Sequence, residues 1–172
     1  MEQFIIQGGI TLSGTIVPSG NKNAALPILA ATLLTAKPVT LHNLPNIGNV
    51  RTMMTLLEDL GATIDRHDNH SATIRAGEIR STRPDPALFS EIRGSLTLLG
   101  PMLARAGEIE LTLPGGDRIG RRRVDTHLLA LEALGASIEY NDRFKMHTGG
   151  LHGTSIWLDE ASVTGTENAI MA

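Results

Sequence analysis

The sequence predicts an α/β (α+β) fold made of repeated units that pack around buried helices. Three observations predict it. Apolar patterns with helical spacing alternate with short strand-like runs along the chain. The pattern then recurs: Ile92 to Pro114 lies over Asn23 to Pro45 at an offset of 69, and both stretches end in Leu-Pro. Finally, hydrophobic residues make up 41% of the chain but aromatics only 3%, so the core must be aliphatic. A unit of helix, strand, helix and two strands has one apolar sheet face that it cannot bury alone. Stacked units sharing a helical centre solve that problem.

Taken in order, residues 3 to 18 read as two short strands, Phe4-Ile5-Ile6 and Leu12 to Val17, broken by Gly8-Gly9 and Ser13-Gly14. Pro18 to Asn23 is a turn ending in N-cap residues, and an apolar helix follows from Ala24 to Leu34, with Pro27 placed in its first turn. A strand (Val39 to Leu44) and a turn (Pro45 to Gly48) lead to a helix from Asn49. That helix carries Val50, Met53, Met54, Leu57 and Leu60 on one face and stops at Gly61. Strands Ala62 to Asp65 and Ser71 to Arg75 flank a polar turn, and Pro84-Asp85-Pro86 reads as a linker.

The second unit begins at Ile92. Beyond its Leu-Pro the offset becomes 74, so that Val50, Met54, Leu57 and Leu60 align with Val124, Leu128, Leu131 and Leu134. The second unit therefore carries five extra residues between Leu113-Pro114 and its second helix. A third unit starts at Thr164-Gly165-Thr166-Glu167-Asn168-Ala169, which matches Ser19 to Ala24 at an offset of 145. The chain stops within the first turns of that helix, which reads as a fragment of a longer protein.

Composition narrows the function. The net charge is −3 and the pI about 6.0, with few aromatics for base stacking, which argues against nucleic-acid binding. No cysteine is present, so there is no disulfide framework and no thiolate chemistry. The N-terminus does not read as a signal peptide, and no apolar run approaches a bilayer's width. The expectation is a soluble, cytoplasmic protein with no membrane contact, no metal and no cofactor.

Two stretches carry chemistry. Ser19-Gly20-Asn21-Lys22-Asn23 places a turn and an ammonium at a helix N-terminus, where free N–H groups and the helix dipole favour an anion. The P-loop spacing is absent, and a capped helix with an exposed lysine is the other reading open here. The insertion falls in Pro114 to Asp125, which holds Gly115, Gly116 and Gly120, four arginines (Arg118, Arg121, Arg122, Arg123) and Asp117. A mobile backbone, clustered cations and one proton-bearing group suit a polyanionic substrate; a solvated charged loop is the alternative. An insertion that the shared scaffold does not need favours the functional reading. His67 and His70 lie in a polar turn without a third ligand and read as an exposed hairpin. His127 takes the apolar-face position of Met53 and reads as partly buried, and Trp157 reads as a strand residue at an edge or interface.

These residues resemble a known family. Ser19 to Pro27 resembles the opening motif of the UDP-N-acetylglucosamine 1-carboxyvinyltransferases, a family of enolpyruvyl transferases. Ile92-Arg93-Gly94-Ser95, Leu99-Gly100-Pro101, Pro114 to Asp125 and Ala161 to Asn168 resemble further motifs in the same order. The related shikimate-pathway enzymes open on a Gly-Asp-Lys-Ser type motif, which Gly20-Asn21-Lys22-Asn23 does not match. The resemblance covers essentially the whole chain and about the N-terminal two-fifths of such an enzyme. It implies an inside-out α/β barrel of the enolpyruvyl transferase type, incomplete here, with βαβαββ units. Residues 1–21 would be strands belonging to the second, C-terminal domain. Residues 22–172 would form the first domain, with two units and the start of a truncated third.

The resemblance also implies an activity: transfer of the enolpyruvyl group from phosphoenolpyruvate to the 3-hydroxyl of UDP-N-acetylglucosamine. Phosphate is released in this first committed step of peptidoglycan synthesis. Lys22 and Asn23 would contact phosphoenolpyruvate, and Arg93 and Arg122 would hold anionic groups. Arg122, Arg123, Val124, Asp125 and Thr126, with Ser162 and Val163, would line the UDP-sugar site. Position 123 is commonly Pro in the family and is Arg here, while Asp117 stands where many members have Cys. Asp117 would then be the general acid at C3, although an unperturbed Asp, with a pKa of about 3.9, is ionised at neutral pH. Neighbouring arginines lower that value, and a bound, desolvated polyanion raises it. Without a thiol to alkylate, resistance to the epoxide fosfomycin is expected. The fragment alone is expected to be inactive, since it lacks the second domain. A binding-only paralogue or a different enolpyruvyl transferase are the rival readings.

Overall fold

Asn21 starts the first unit. Its side-chain oxygen accepts hydrogen bonds from the N–H groups of Asn23 (2.7 Å) and Ala24 (3.2 Å), two donors that the first helical turn cannot satisfy itself. The computed structural model describes residues 3–112, 115, 123–141 and 143–172. The unit runs α1 (Lys22–Ala31), a 3-10 turn (Thr32–Leu34), β1 (Val39–Leu41), α2 (Gly48–Asp59), β2 (Thr63–Arg66) and β3 (Ala72–Arg75). After α3 (Pro86–Glu91) the order returns: a 3-10 stretch (Arg93–Leu98), α4 (Leu99–Ala106), β4 (Glu108–Leu111), α5 (Asp125–Ala133), β5 (Ser137–Tyr140) and β6 (Phe144–His147). α6 (Val163–Met171) opens the third unit.

The repeat is exact in topology. Each unit forms an antiparallel three-stranded sheet whose last strand lies in the centre, β1-β3-β2 and β4-β6-β5. The central strands place Ile74 between Val39 and Ile64, and Met146 between Ile109 and Ile138. The helix ends repeat too. Gly61 and Gly135 take left-handed φ values of 112° and 103° after α2 and α5. Ala62 N–H then bonds Leu57 C=O at 2.9 Å, and Ala136 N–H bonds Leu131 C=O at 3.0 Å.

The core is aliphatic, as the composition demands. Leu29, Leu33, Met53, Leu56, Leu57 and Leu60 from the first unit meet Leu96, Leu98, Leu99 and Met102 from the second, with Phe89 among them. Each fully buried side chain of this kind contributes about 2 kcal/mol through the water it no longer disturbs. α6 packs on α4, α5 and the 93–98 stretch, so the third unit's helix closes the group.

Several expectations need correction. Residues 3–20 form no strand, and Phe4 is 92% exposed: a strand needs a partner to satisfy its ladder, and the described residues offer none there. Pro84-Asp85-Pro86 is not a linker. Asp85 caps α3, accepting from Ala87 N–H and Leu88 N–H at 2.8 and 2.9 Å, and Pro86 supplies the first helical position. α1 begins at Lys22, so Pro27 sits inside the helix rather than in its first turn. Trp157 lies outside any strand and is 96% exposed. His127 is fully buried, not partly. The polar turn with His67 and His70 is exposed, as expected, and both rings are held there: His67 Nε2 pairs with Thr73 Oγ1 at 2.8 Å, and His70 Nδ1 with Leu44 O at 2.9 Å.

Candidate functional site

Four helices begin around one cavity of about 1040 Å³. α1 brings Lys22 and Asn23, and α2 brings Gly48, Asn49 and Thr52. Arg123, just before α5, and His127 within it form another wall, and Ala161 to Thr164 enter at the start of α6. Glu91, Ile92 and Arg93 complete the lining at the junction between α3 and the 3-10 stretch. Each helix N-terminus turns the positive end of its dipole towards the cavity, although Asn21 and Ser162 cap part of the first turns of α1 and α6, so their convergence favours an anionic ligand. Pro27 also lines the cavity. Having no N–H, it removes the intrahelical donor that the Asn23 carbonyl, one turn earlier, would otherwise receive.

The repeat explains this geometry. Asn49 and Arg123 are equivalent at the offset of 74, as are Lys22 and Glu91 at 69. Successive units aim the same helix ends at the same space.

The charges are organised by a clasp. Arg123 bonds both carboxylate oxygens of Asp125, at 2.9 and 3.0 Å from Nε and 2.5 Å from Nη2, and also pairs with Asp159. Thr126 Oγ1 donates towards Glu160 Oε1 at 3.2 Å and Asp159 Oδ1 at 3.4 Å. Arg93 Nη2 in turn donates to the Arg123 carbonyl at 2.5 Å. The start of α5 is thereby tied to the 159–160 segment that leads into α6. The Arg123 hydrogen bonds hold the Asp125 carboxyl below its usual range, and the two carboxylates raise the Arg123 guanidinium further.

Beneath the cavity floor, Asn168 bonds Gly100 N–H (2.9 Å), Leu96 C=O (2.8 Å) and His127 Nδ1 (2.7 Å), and His127 Nε2 faces Thr164 Oγ1 at 3.2 Å. Burial, with a smaller contribution from Arg93, pushes the His127 imidazole down to about 4. It is a neutral structural group at physiological pH.

Of the residues expected from sequence, Lys22, Asn23, Arg93, Arg123, Ser162 and Val163 line the cavity together. Val124 packs against the core, Asp125 belongs to the clasp, and buried Thr126 supports it from behind. Asp117 and Arg122 lie outside the described residues. Sequence reasoning missed Thr52, Glu91, Asp159, Glu160 and Glu167. The offset of 69 pointed to Glu91 and that of 145 to Glu167; for the others no sequence signal existed. Among the described residues no group of three or more His, Cys, Asp or Glu could hold a metal, and no helix is long and apolar enough to cross a membrane.

Comparison with known proteins gives a consistent picture. The EPSP synthase (3-phosphoshikimate 1-carboxyvinyltransferase) family matches residues 6–172. The UDP-N-acetylglucosamine 1-carboxyvinyltransferase of Bradyrhizobium diazoefficiens is 51% identical over 170 residues, 99% of this chain and 39% of that protein. Its namesake from Treponema denticola is 46% identical over 172 residues, covering 100% of this chain and 40% of the relative. The chain thus spans about two-fifths of the curated relatives it matches. Among solved structures, EPSP synthase from Acinetobacter baumannii superposes with a TM-score of 0.71 at 18% identity, covering 92% of this chain and 37% of that one. The enolpyruvyl transferase NikO from Streptomyces tendae superposes with a TM-score of 0.68 at 24% identity, covering 84% and 32%. These two show the fold: repeated α/β units of the enolpyruvyl transferase type, present here as a partial domain. The chain belongs to the EPSP synthase (3-phosphoshikimate 1-carboxyvinyltransferase) family.

Proposed function

We propose that this chain is the N-terminal part of an enzyme that transfers the enolpyruvyl group of phosphoenolpyruvate to the 3-hydroxyl of UDP-N-acetylglucosamine. The observation that carries the reading is the single cavity where Lys22, Asn23, Arg93, Ser162 and Val163 meet at the N-termini of successive helices. Relatives named for that acceptor, at 42–51% identity over 99–100% of this chain, support the choice of sugar.

In this reading Lys22 and the α1 N-terminus take the phosphate and carboxylate of phosphoenolpyruvate, with Arg93 and Arg122 as further cations. Arg123 to Thr126, Ser162 and Val163 form the UDP-sugar side, with the clasp holding the two segments at a fixed spacing. The sugar 3-hydroxyl oxygen bonds to C2 of phosphoenolpyruvate as its O–H bond breaks, while Asp117 gives its proton to C3. The C2–O bond to phosphate then breaks as a C3 proton returns to the Asp117 carboxylate, which restores the enol ether, and the hydroxyl's proton leaves with the released phosphate. Cytoplasmic location and a role in cell-wall synthesis follow from this chemistry. Residues 1–21 go with a second domain. The exposed Phe4, Ile5, Ile6, Leu12, Ile16 and Val17 support this, since such a run needs a sheet to cover it.

Phosphate release by the complete polypeptide, with phosphoenolpyruvate and either UDP-N-acetylglucosamine or shikimate 3-phosphate, tests the reading. Release with the first acceptor alone supports it. Release only with the second, or binding without release, refutes it.

A further inference from the structure

Glu167 takes in the third unit the place that Lys22 takes in the first and Glu91 in the second. All three line the same cavity. Glu91 has a partner: its Oε2 accepts from Thr52 Oγ1 at 2.9 Å. Glu167 Oε2 is buried and has no hydrogen-bond partner among the described residues. Burial also pushes its carboxyl above the usual range. Withdrawing a polar group from water without a partner is costly, more so for a charge, so such a group in a cavity wall calls for a ligand that satisfies it.

The chemistry of that ligand group follows from charge. Phosphates and carboxylates are repelled by a carboxylate and are matched elsewhere in the cavity by Lys22, Arg93 and the helix N-termini. What reaches Glu167 must therefore carry an O–H or N–H donor without a negative charge. Of the two ligands, the UDP-sugar carries such neutral donors: the hexosamine hydroxyls and acetamido N–H, the ribose hydroxyls and the uracil N3–H. We propose that Glu167 is a specificity-determining residue for the acceptor, its carboxylate receiving a hydrogen bond from a neutral O–H or N–H of the UDP-sugar. The proposal rests on the functional reading above.

The test is steady-state kinetics of the complete polypeptide with Glu167→Leu and Glu167→Gln, varying each substrate separately. Wild-type turnover with UDP-N-acetylglucosamine tests the functional reading by itself, so failure there is distinguishable from failure of this inference. Glu167→Leu should raise the KM for the UDP-sugar at least tenfold and leave that for phosphoenolpyruvate within twofold. Glu167→Gln keeps an acceptor oxygen and the side-chain volume, and should raise the sugar KM by about threefold. It also serves if the leucine variant does not fold. Unchanged kinetics would overturn the inference. So would a change confined to phosphoenolpyruvate, which would mean that Glu167 acts on the cations, or an equal loss for both substrates, which would mean a structural role.

Discussion

The Asn168 amide donates to Nδ1 of His127 at 2.7 Å, and this bond fixes which ring nitrogen carries the proton. The amide's orientation is set independently: its oxygen accepts from Gly100 N–H and its nitrogen donates to Leu96 C=O. Nδ1 must therefore accept, and the proton sits on Nε2, facing Thr164. A protonated ring would point N–H at N–H. The folded state holds His127 at about 4, below the ordinary value near 6.5, so between these values the unfolded chain binds more protons. Stability is full above about pH 6.5 and falls by about 3 kcal/mol as the pH drops towards 4. His127→Met, which copies Met53 of the first unit, should flatten this dependence. Urea denaturation from pH 7 to 4 measures both.

Asn168 itself joins α4, α5, α6 and the 93–98 stretch through one side chain. Asn168→Ala should cost about 2–4 kcal/mol, because it orphans the buried Gly100 N–H and Leu96 C=O together. The same denaturation experiment gives the value.

Gly100 and Gly94 make a paired prediction. A Cβ on Gly100 would stand 2.4 Å from the Asn168 backbone oxygen, whereas on Gly94 it would stand 2.5 Å from Leu26 Cδ1. A backbone carbonyl in a packed helix cannot move aside, but the end of a leucine can. Gly100→Ala should therefore destabilise by roughly 1–3 kcal/mol, outweighing alanine's better helix propensity, and Gly94→Ala by less. Thermal melting of the two variants checks the order.

The Arg123 clasp is solvent-accessible, so its removal should scarcely change the melting temperature. Its effect should appear in ligand binding, because it sets the spacing between the start of α5 and Ser162. Arg123→Ala is expected to raise the KM for the UDP-sugar several-fold, with the loss shrinking at high salt as the wild-type ion pairs are screened. Kinetics at two ionic strengths resolve this.

Asp117 carries two linked predictions. Asp117→Asn should abolish turnover, since an amide cannot deliver the proton to C3. Under the proposed function, the complete polypeptide should keep its activity in fosfomycin, and Asp117→Cys should make it lose activity with time, because it supplies the nucleophile that an epoxide alkylates. Activity remaining after preincubation with the epoxide is the readout.

The units were legible because the helix stops and sheet positions recur at fixed offsets: Gly61 with Gly135, and Leu57 with Leu131. That Lys22 and Asn23 share a cavity with Ser162 and Val163 was foreshadowed by the helix-start pattern for the first pair and by the motif resemblance for the second. The N-terminal apolar alternation showed a face to be covered and not its cover, and without a sheet beside them residues 3–20 form no strand. The linker reading of Pro84-Asp85-Pro86 failed because Asp-Pro is equally a helix start. The Asp159 and Glu160 contacts were illegible because they come from a loop whose approach to α5 is a tertiary fact.

The central claim is most directly tested by the mass of the acceptor after incubation of the complete polypeptide with phosphoenolpyruvate and UDP-N-acetylglucosamine. The account predicts that the UDP-sugar gains one enolpyruvyl group and that one phosphate appears for each group transferred. An unchanged UDP-sugar, with shikimate 3-phosphate modified in its place or with neither acceptor altered, would contradict it.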